Sequence, residues 1–484
     1  MAAGSERANY RVTFAVLALG VGAFALLQSL VIPVLTTVQH ELHTSQSAVT
    51  WVLTAYLLSA SVMTPILGRV GDMIGKERVF VAAQVALAAG SLLAAVSSSI
   101  GVLIAARVIQ GIAGGMVPVA FGIVRDEFPA AKVTGAVGAI AALTAVGAGL
   151  GIVAAGPIVD ALDWHWLFWL PLILTLACAV AAVLFVPESP VRVPGRINWL
   201  SAVLMSAWLV ALLVAVSEAP DWGWGSAAVI GLLAASAALA AGWVAAELRA
   251  ATPLVDMQMM RLPAVWTNNL VALLIGTGMY ATFAFLPEFL QTPRTAGYGF
   301  GASIVGSGLM LLPSSFTMFG VGIFAGRLTR RVGGRVLVVA GCLIGSAALA
   351  MLAFAHACEW QIYLSNGLMG AGFGLAFPAM SALVVAAVPA TQTGVASGMN
   401  ANIRTLGGSI GSAAMASIVT ARLLPSGLPA ESGYTTGFAI MAAGLVLAAL
   451  AGLLIPATRR QVTSNARGSR SNSSASTAWN PSGP

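Results

Sequence analysis

The chain contains fourteen separate runs of about 20 or more largely apolar residues. A helix of about 20 residues crosses the hydrocarbon core of a bilayer and satisfies its own backbone hydrogen bonds there. Only 8% of the residues are charged, against about a quarter in soluble domains. The spans are predicted at 12–34, 49–68, 79–98, 101–124, 134–156, 165–187, 198–217, 226–248, 264–290, 300–325, 335–356, 359–386, 393–421 and 434–456. The sequence therefore predicts an all-α membrane protein.

Basic residues indicate the orientation of these spans, because Lys and Arg are retained on the cytoplasmic side. With the N-terminus in the cytoplasm, 19 of the 23 Lys and Arg residues fall in inner loops and tails. Only Arg294 and Arg422 fall outside, while Arg107 and Arg404 lie inside predicted spans. We therefore expect a multi-pass protein of the cell inner (plasma) membrane with both termini cytoplasmic. Topology then explains the net charge of +7, and no nucleic-acid partner is expected.

An internal repeat organises the chain. Residues 68–75 match 326–333 at an offset of 258, and residues 134–135 match 393–394 at an offset of 259. Six helices with their loops need about 190 residues, so the offset leaves room for two further helices. The predicted order is a cytoplasmic N-terminus (1–11), a first six-helix half (12–187), a linker with two extra helices (188–262), a second six-helix half (263–456) and a disordered cytoplasmic tail (457–484).

The loop between the second and third spans reads GRVGDMIGKER over residues 68–78. It resembles the GxLaDrxGrkxx loop of the major facilitator superfamily. Glycines allow a tight turn and close helix approach, and the acid can pair with a cation or cap a helix start across the two halves. Breaking and remaking such a contact would switch access; the alternative is a basic loop that only anchors topology. The predicted switch residues are Gly68, Asp72, Gly75, Lys76 and Arg78, with Gly326, Arg330 and Gly333 in the repeat.

Two further segments carry the resemblance. LIAARVIQG over 103–111 is similar to the lxxxRxxQG motif of proton-coupled members, and TGVASGMNANIRTLGGSIG over 393–411 is similar to a stretch typical of fourteen-spanner drug:proton antiporters. Arg107 in the first is costly in a membrane unless it faces a water-filled cavity or a partner, although it could instead snorkel to the interface. Arg404 in the second belongs to a polar stripe that must face protein or water. Over residues 10–458 the resemblance implies the major facilitator fold, two six-helix halves plus two inserted helices.

Two positions depart from the antiporter pattern. The proline of the fifth-span GPxxGG signature falls on Ile152, and the first-span carboxylate falls on Gln28, which cannot carry a proton. Both features are associated with proton exchange in the family, so the sequence leaves the coupling open. The best remaining acid is Glu288, near the outer end of the ninth span. Glu288 is predicted either to exchange protons from a buried position or to lie at the outer interface.

The resemblance implies that spans one, four, nine and twelve line a substrate cavity. Aromatic and Met side chains there suit an adaptable apolar ligand, although on any one helix such residues also pack or face lipid. The candidate cavity residues are Gln28, Met116, Phe121, Asn268, Asn269, Tyr280, Phe283, Asn366 and Met369, with Asn400 on the thirteenth span.

Several function classes are disfavoured by what the motifs lack. The two lysines, Lys76 and Lys132, do not stand in a P-loop, so no ATP hydrolysis is expected. The four histidines and three cysteines show no ligand spacing, so no metal or cofactor is expected. We expect a monomer that is not an enzyme, and that contacts the bilayer, protons and a small-molecule substrate.

These patterns favour a secondary active efflux transporter of small, mostly apolar, drug-like compounds, with proton antiport by alternating access. A uniporter or proton symporter of a metabolite is the alternative that Gln28 and Ile152 support. A non-transporting membrane sensor is less favoured, because no sizeable soluble domain is predicted.

Overall fold

The computed structural model describes residues 10–44, 46–188 and 198–456, and fourteen long helices account for most of these ranges. The predicted disordered tail (457–484) and residues 1–9 of the predicted N-terminus lie outside the described residues. Each of the fourteen predicted spans coincides with one long helix. The chain is an all-α membrane protein.

The first six helices form one hydrophobic core cluster, in which Leu17, Phe80 and Phe168 are almost fully buried. A 3-10 turn at Ile112–Gly115 interrupts the fourth helix, where three glycines pack against the second helix. The helices of this first half are α1 Tyr10–Leu30, α2 Gln46–Ile74, α3 Lys76–Ala95, α4 Ile100–Glu127, α5 Ala130–Ala161 and α6 Trp166–Phe185.

The last six helices form a second core cluster, around Phe289, Phe373 and Phe438. They are α9 Pro263–Gln291, α10 Ile304–Val332, α11 Gly334–Phe354, α12 Glu359–Ala387, α13 Thr393–Thr420 and α14 Glu431–Gly452. Thirteen of the fourteen long helices are apolar enough by length and composition to cross a membrane. The exception is α13, because its polar stripe with Asn400, Asn402 and Arg404 lowers its mean hydropathy.

Two further helices, α7 Trp199–Trp222 and α8 Ala227–Arg249, lie between the halves in sequence. Helix α7 packs against both α2 of the first half and α13 of the second half, whereas α8 packs mainly on α7. Residues of α7 share a third core cluster with Val395, Met399 and Leu406 of α13. The inserted pair therefore covers one of the two places where the halves meet.

The repeat appears in the backbone as two equivalent turns. Gly75 joins α2 to α3 at φ +118°, and Gly333 joins α10 to α11 at φ +94°. These positions are 258 residues apart in the chain. A side chain is strained at such φ values, so glycine at both positions allows one helix to end and the next to begin without a longer loop.

Candidate functional site

A cavity lies between the two halves, and each half contributes the same four helices to it. Its lining residues come from α1, α2, α4 and α5 of the first half and from α9, α10, α12 and α13 of the second. Counting within each half, these are the first, second, fourth and fifth helices in both cases. The internal repeat thus encloses the cavity with two related walls, as in transporters built from two repeats.

Six of the residues that were predicted to line the cavity or to supply its charge do line it. They are Gln28, Phe121, Tyr280, Phe283, Asn400 and Arg404. Asn269 was also predicted to line the cavity but lies behind its wall. There its Oδ1 accepts a hydrogen bond of 2.9 Å from Asn400 Nδ2. The polar stripe predicted on α13 therefore faces the cavity.

Four other cavity candidates are absent from the lining, which corrects the sequence interpretation. Met116 and Met369 are buried in the cores of their own halves. Asn268 and Asn366 are fully buried, and each Nδ2 donates to the carbonyl four residues earlier, at 2.7 and 3.0 Å. Helix periodicity places these side chains away from the cavity, and the choice of span alone could not show that.

The wall combines one cation with neutral polar and aromatic groups. The guanidinium of Arg404 lies 4.9 Å from the ring centroid of Phe377. None of the described lining residues is Asp or Glu. Four lining residues also carry buried polar atoms without a hydrogen-bond partner among the described residues: Tyr56, Ser61, Ser397 and Asn402.

Arg107 lies directly behind this wall, inside the first half. It is fully buried, its Nε donates to Val52 O at 3.1 Å, and its Nη1 donates to Gln110 Oε1 at 2.7 Å. Its guanidinium stands 4.3 Å from the ring centroid of Tyr56, which lines the cavity. The side chain is therefore held in the protein interior and does not snorkel to the interface.

One end of the cavity is closed by direct contact between α2 and α13. A Cβ added at Gly68 would lie 2.7 Å from the carbonyl oxygen of Gly394, so the two backbones touch here. Asp72, one turn further along α2, is buried, and its Oδ2 would lie 3.2 Å from a Cβ at Gly394. Its carboxylate thus faces the first turn of α13, where free backbone N–H groups and the helix dipole favour negative charge.

Lys76 connects this carboxylate to a second acid in the first half. Its Nζ lies 3.5 Å from Asp72 Oδ1 and 2.7 Å from Asp126 Oδ2, and all three side chains are buried. The two oxygens of Asp72 accept no hydrogen bond from the described residues. Arg78, by contrast, forms an exposed ion pair with Glu188 at 2.8 Å. The predicted loop therefore divides into a buried charged group and a surface pair.

Sequence reasoning missed Arg125, which links the two halves at the same end of the cavity. Its Nη1 donates to Val385 O at 2.5 Å and to Thr393 Oγ1 at 2.7 Å. Arg125 lies in the last turn of α4, where a basic residue also fits a topological anchor. No counterpart in the repeat marked it, because residue 384 is a valine.

The second contact between the halves, α5 with α10, repeats the first in shape but not in charge. A Cβ added at Gly326 would lie 2.8 Å from Gly135 Cα. Arg330 takes the repeat position of Asp72, and its Nη1 lies 3.9 Å from a Cβ built on Gly135, near the start of α5. The close glycine approach is thus present at both contacts, whereas the buried carboxylate is present at one.

Glu288 does not line the cavity. It is exposed near the C-terminal end of α9, and its Oε1 accepts a hydrogen bond of 2.9 Å from Tyr434 Oη. The described side chain is exposed and not buried, so an interfacial position stays the prediction for it. The physical reason is its place in the last turn of the helix, beyond the depth at which Tyr280 and Phe283 reach the cavity.

The chain is similar to known proteins over most of its length. Residues 17–412 match the family model of the Major Facilitator Superfamily. The chain is 28% identical to the tetracenomycin C resistance and export protein of Streptomyces glaucescens, over 85% of this chain and 76% of that protein. It is 27% identical to the multidrug transporter protein MdtP of Bacillus subtilis, over 78% and 69%. It is 29% identical to the multidrug resistance protein Stp of Mycobacterium tuberculosis, over 84% and 76%.

A solved structure shows the same fold. The human organic anion transporter MFSD10 (TETRAN) superposes with a TM-score of 0.69, covering 91% of this chain and 99% of that one, at 18% identity. At this identity the likeness concerns the fold alone.

Proposed function

Because the chain belongs to the Major Facilitator Superfamily, we propose that it exports small, mostly apolar, drug-like organic compounds across the plasma membrane by alternating access. The observation that supports this is the cavity between the halves, walled by equivalent helices and closed at one end by the Gly68–Gly394 contact. The similar proteins named for multidrug resistance or antibiotic export support the outward direction. The chain acts as a monomer and without ATP.

The closed end is the cytoplasmic one in this proposal, with both termini on that side. The distribution of Lys and Arg supports this orientation. In the described state the α2–α13 contact then separates the cavity from the cytoplasm. Cytoplasmic opening would separate Gly68 from Gly394 and Asp72 from the start of α13.

Proton antiport is the proposed driving process. The buried carboxylates of Asp72 and Asp126 both lie within ion-pair distance of Lys76 at the closed end. Opening this end would bring Asp72 into water, where its ionised form is better solvated. Protonation linked to this movement would couple export to proton entry without an acid in the cavity.

A uniporter is the second candidate, because none of the described cavity-lining residues is Asp or Glu and Gln28 stands at the family's acidic position. Purified protein in proteoliposomes would separate the two mechanisms. An imposed pH gradient at zero membrane potential should drive a neutral fluorescent substrate against its gradient if protons are exchanged. Undiminished accumulation after a protonophore has been added would refute proton coupling, and absence of any protein-dependent flux would refute transport.

A further inference from the structure

We infer that the cavity binds amphipathic aromatic anions, with Arg404 holding the anionic group. This rests on the proposed transport function, of which it specifies the substrate class. Arg404 is the only Lys or Arg among the described lining residues, and no carboxylate accompanies it. Its guanidinium lies 4.9 Å from the ring centroid of Phe377, and a ring face does not neutralise a positive charge.

A second cation, Arg107, adds to the positive electrostatic potential that Arg404 creates in the cavity. Arg107 stacks on Tyr56 at 4.3 Å from the other side of the wall, and its hydrogen-bond partners, Val52 O and Gln110, are neutral. Two guanidinium groups therefore flank the cavity, and the described wall holds no opposing charge. In a site of low dielectric constant such an imbalance attracts an anion and repels a cation more strongly than in water.

Unsatisfied polar atoms give independent evidence for a ligand. Asn402 is 2% exposed, and neither its Nδ2 nor its Oδ1 has a hydrogen-bond partner in the described chain. Ser61, Ser397 and Tyr56 also line the cavity with unpaired hydroxyl groups. Buried polar groups are normally paired, so unpaired polar atoms on this wall favour a ligand that carries polar groups of its own.

The remainder of the wall suits an aromatic body. Phe24, Phe121, Phe283 and Phe377 line the cavity together with Met279 and Met318. Aromatic faces and flexible thioether side chains accommodate flat apolar ligands of different shape. The site thus pairs one localised positive charge with a broad apolar surface, which is the complement of a ring system bearing an acidic group.

Binding of three naphthalene probes to the full chain in lipid nanodiscs tests this inference. The probes are 2-naphthalenesulfonate, its neutral sulfonamide and 2-naphthylmethylammonium. We expect the anion to bind at least about tenfold more tightly than the neutral probe, because a charge-assisted hydrogen bond adds about that factor, and the cation to bind most weakly. A wild-type preference for the cation or for the neutral probe would overturn the inference without any variant.

Variants then assign the preference to Arg404. Arg404→Gln should remove the preference for the anion while leaving the affinity for the sulfonamide within about twofold. Arg404→Lys keeps the positive charge but not the planar fork, so it should keep part of the preference. Ala401→Glu places a carboxylate three residues before Arg404 on the cavity wall and should also abolish the preference. Arg422→Gln, which changes an exposed arginine just beyond α13, is the matched control and should bind as the wild type does.

The binding assay separates this inference from the proposed function. Anion-selective binding that depends on Arg404, combined with no flux in proteoliposomes, would refute transport and leave the site assignment standing. Flux of neutral drug-like probes with no anion preference would support transport and overturn the site assignment. Anion preference that survives in Arg404→Gln would also overturn it.

Discussion

At Gly68 a single hydrogen atom in place of a side chain allows α2 and α13 to touch. A Cβ there would lie 2.7 Å from the backbone oxygen of Gly394, and backbone cannot turn away as a side chain can. We expect Gly68→Val to separate the helices while the protein still inserts normally into the membrane. Substrate turnover should fall at least about tenfold, which corresponds to a loss of about 1.4 kcal/mol in the stability of the closed contact.

Gly320→Val is the matched control, because a Cβ at this glycine of α10 meets no atom within 4 Å. Turnover in proteoliposomes, normalised to inserted protein, checks the prediction. Wild-type turnover in Gly68→Val would show that the contact does not limit transport.

The charge of Asp72 is expected to set the rate of switching rather than substrate affinity. Asp72→Asn keeps the size of the side chain but removes the charge that faces the first turn of α13, an interaction of about 0.3–2 kcal/mol. Turnover should fall by about two- to thirtyfold while the substrate Kd stays within about twofold. Glu77→Gln, in the next helix, is the control. An equal change in turnover for both variants would contradict a specific role for Asp72.

Arg107→Ala is expected to reduce transport while the protein still inserts. The variant leaves Val52 O and Gln110 Oε1 without the donors that bind them now, and each lost hydrogen bond to a charged group weakens the structure by about 1.5–3 kcal/mol. Thermal unfolding in detergent measures the structural part, and flux at a temperature below unfolding measures the functional part. Wild-type flux in the folded variant would leave Arg107 a structural residue only.

Single residues were predictable from sequence where a charge stands in an apolar segment. Arg107, Arg404 and Asp72 were visible for this reason, because a buried charge needs a structural explanation. Ser61 and Tyr56 could not be recognised as cavity residues from the sequence, since neutral hydroxyl groups are common in membrane helices. Met116, Asn268 and Asn366 were misplaced on the cavity wall because the direction of a side chain depends on helix rotation, which the near-uniform hydrophobicity of these spans does not record.

The inserted helices show what sequence reveals at the scale of elements. The repeat offset of 258 residues implied two extra helices, and α7 and α8 account for them. Their packing site was not predictable, because an apolar helix in lipid carries little pattern that distinguishes protein from lipid. In the structure α7 contacts both α2 and α13. The insert therefore lies against the contact that closes the cavity.

Glu247 joins the end of α8 to the segment that follows it. Its carboxylate is buried at the end of α8 and accepts hydrogen bonds from Trp243 Nε1 at 3.1 Å, Leu254 N at 2.9 Å and Val255 N at 3.2 Å. We expect Glu247→Ala to leave these donors unpaired at about 1–3 kcal/mol each. The midpoint of thermal unfolding should fall, and protease should cut the segment 250–256 faster.

Asp221→Ala is the control for this prediction, because Asp221 lies exposed in the last turn of α7. Its unfolding midpoint should match that of the wild type. Equal protease resistance of Glu247→Ala and the wild type would show that the insert is held by apolar packing alone.

At the scale of the whole molecule, the two halves share positions more than chemistry. Both contribute their first, second, fourth and fifth helices to the cavity, and both use glycines where they meet. The charges differ, since Arg330 stands where the first half has Asp72 and Asn366 stands where it has Arg107. The repeat therefore predicted the architecture, whereas the polarity of the site depends on positions at which the halves have diverged.

If the cavity binds anions, the membrane potential contributes to the driving force for export. An anion leaving a cell that is negative inside moves down the membrane potential, and one elementary charge gains about 2.3 kcal/mol per 100 mV. A uniporter of 2-naphthalenesulfonate should therefore accumulate the probe about tenfold on the positive side at about 60 mV. Exchange of one anion for one proton moves two charges, so the same potential should give about a hundredfold.

Proteoliposomes with a potassium gradient and valinomycin provide this measurement, and the equilibrium ratio does not depend on how the protein is oriented in the vesicle. A tenfold ratio that is unaffected by a pH gradient would select the uniporter, in agreement with a described cavity wall that contains no acid. A hundredfold ratio that also follows the pH gradient would select the antiporter and direct attention to Asp72. A ratio that ignores the potential but follows the pH gradient would show that each anion crosses together with one proton, because that exchange moves no net charge, and would select a symporter.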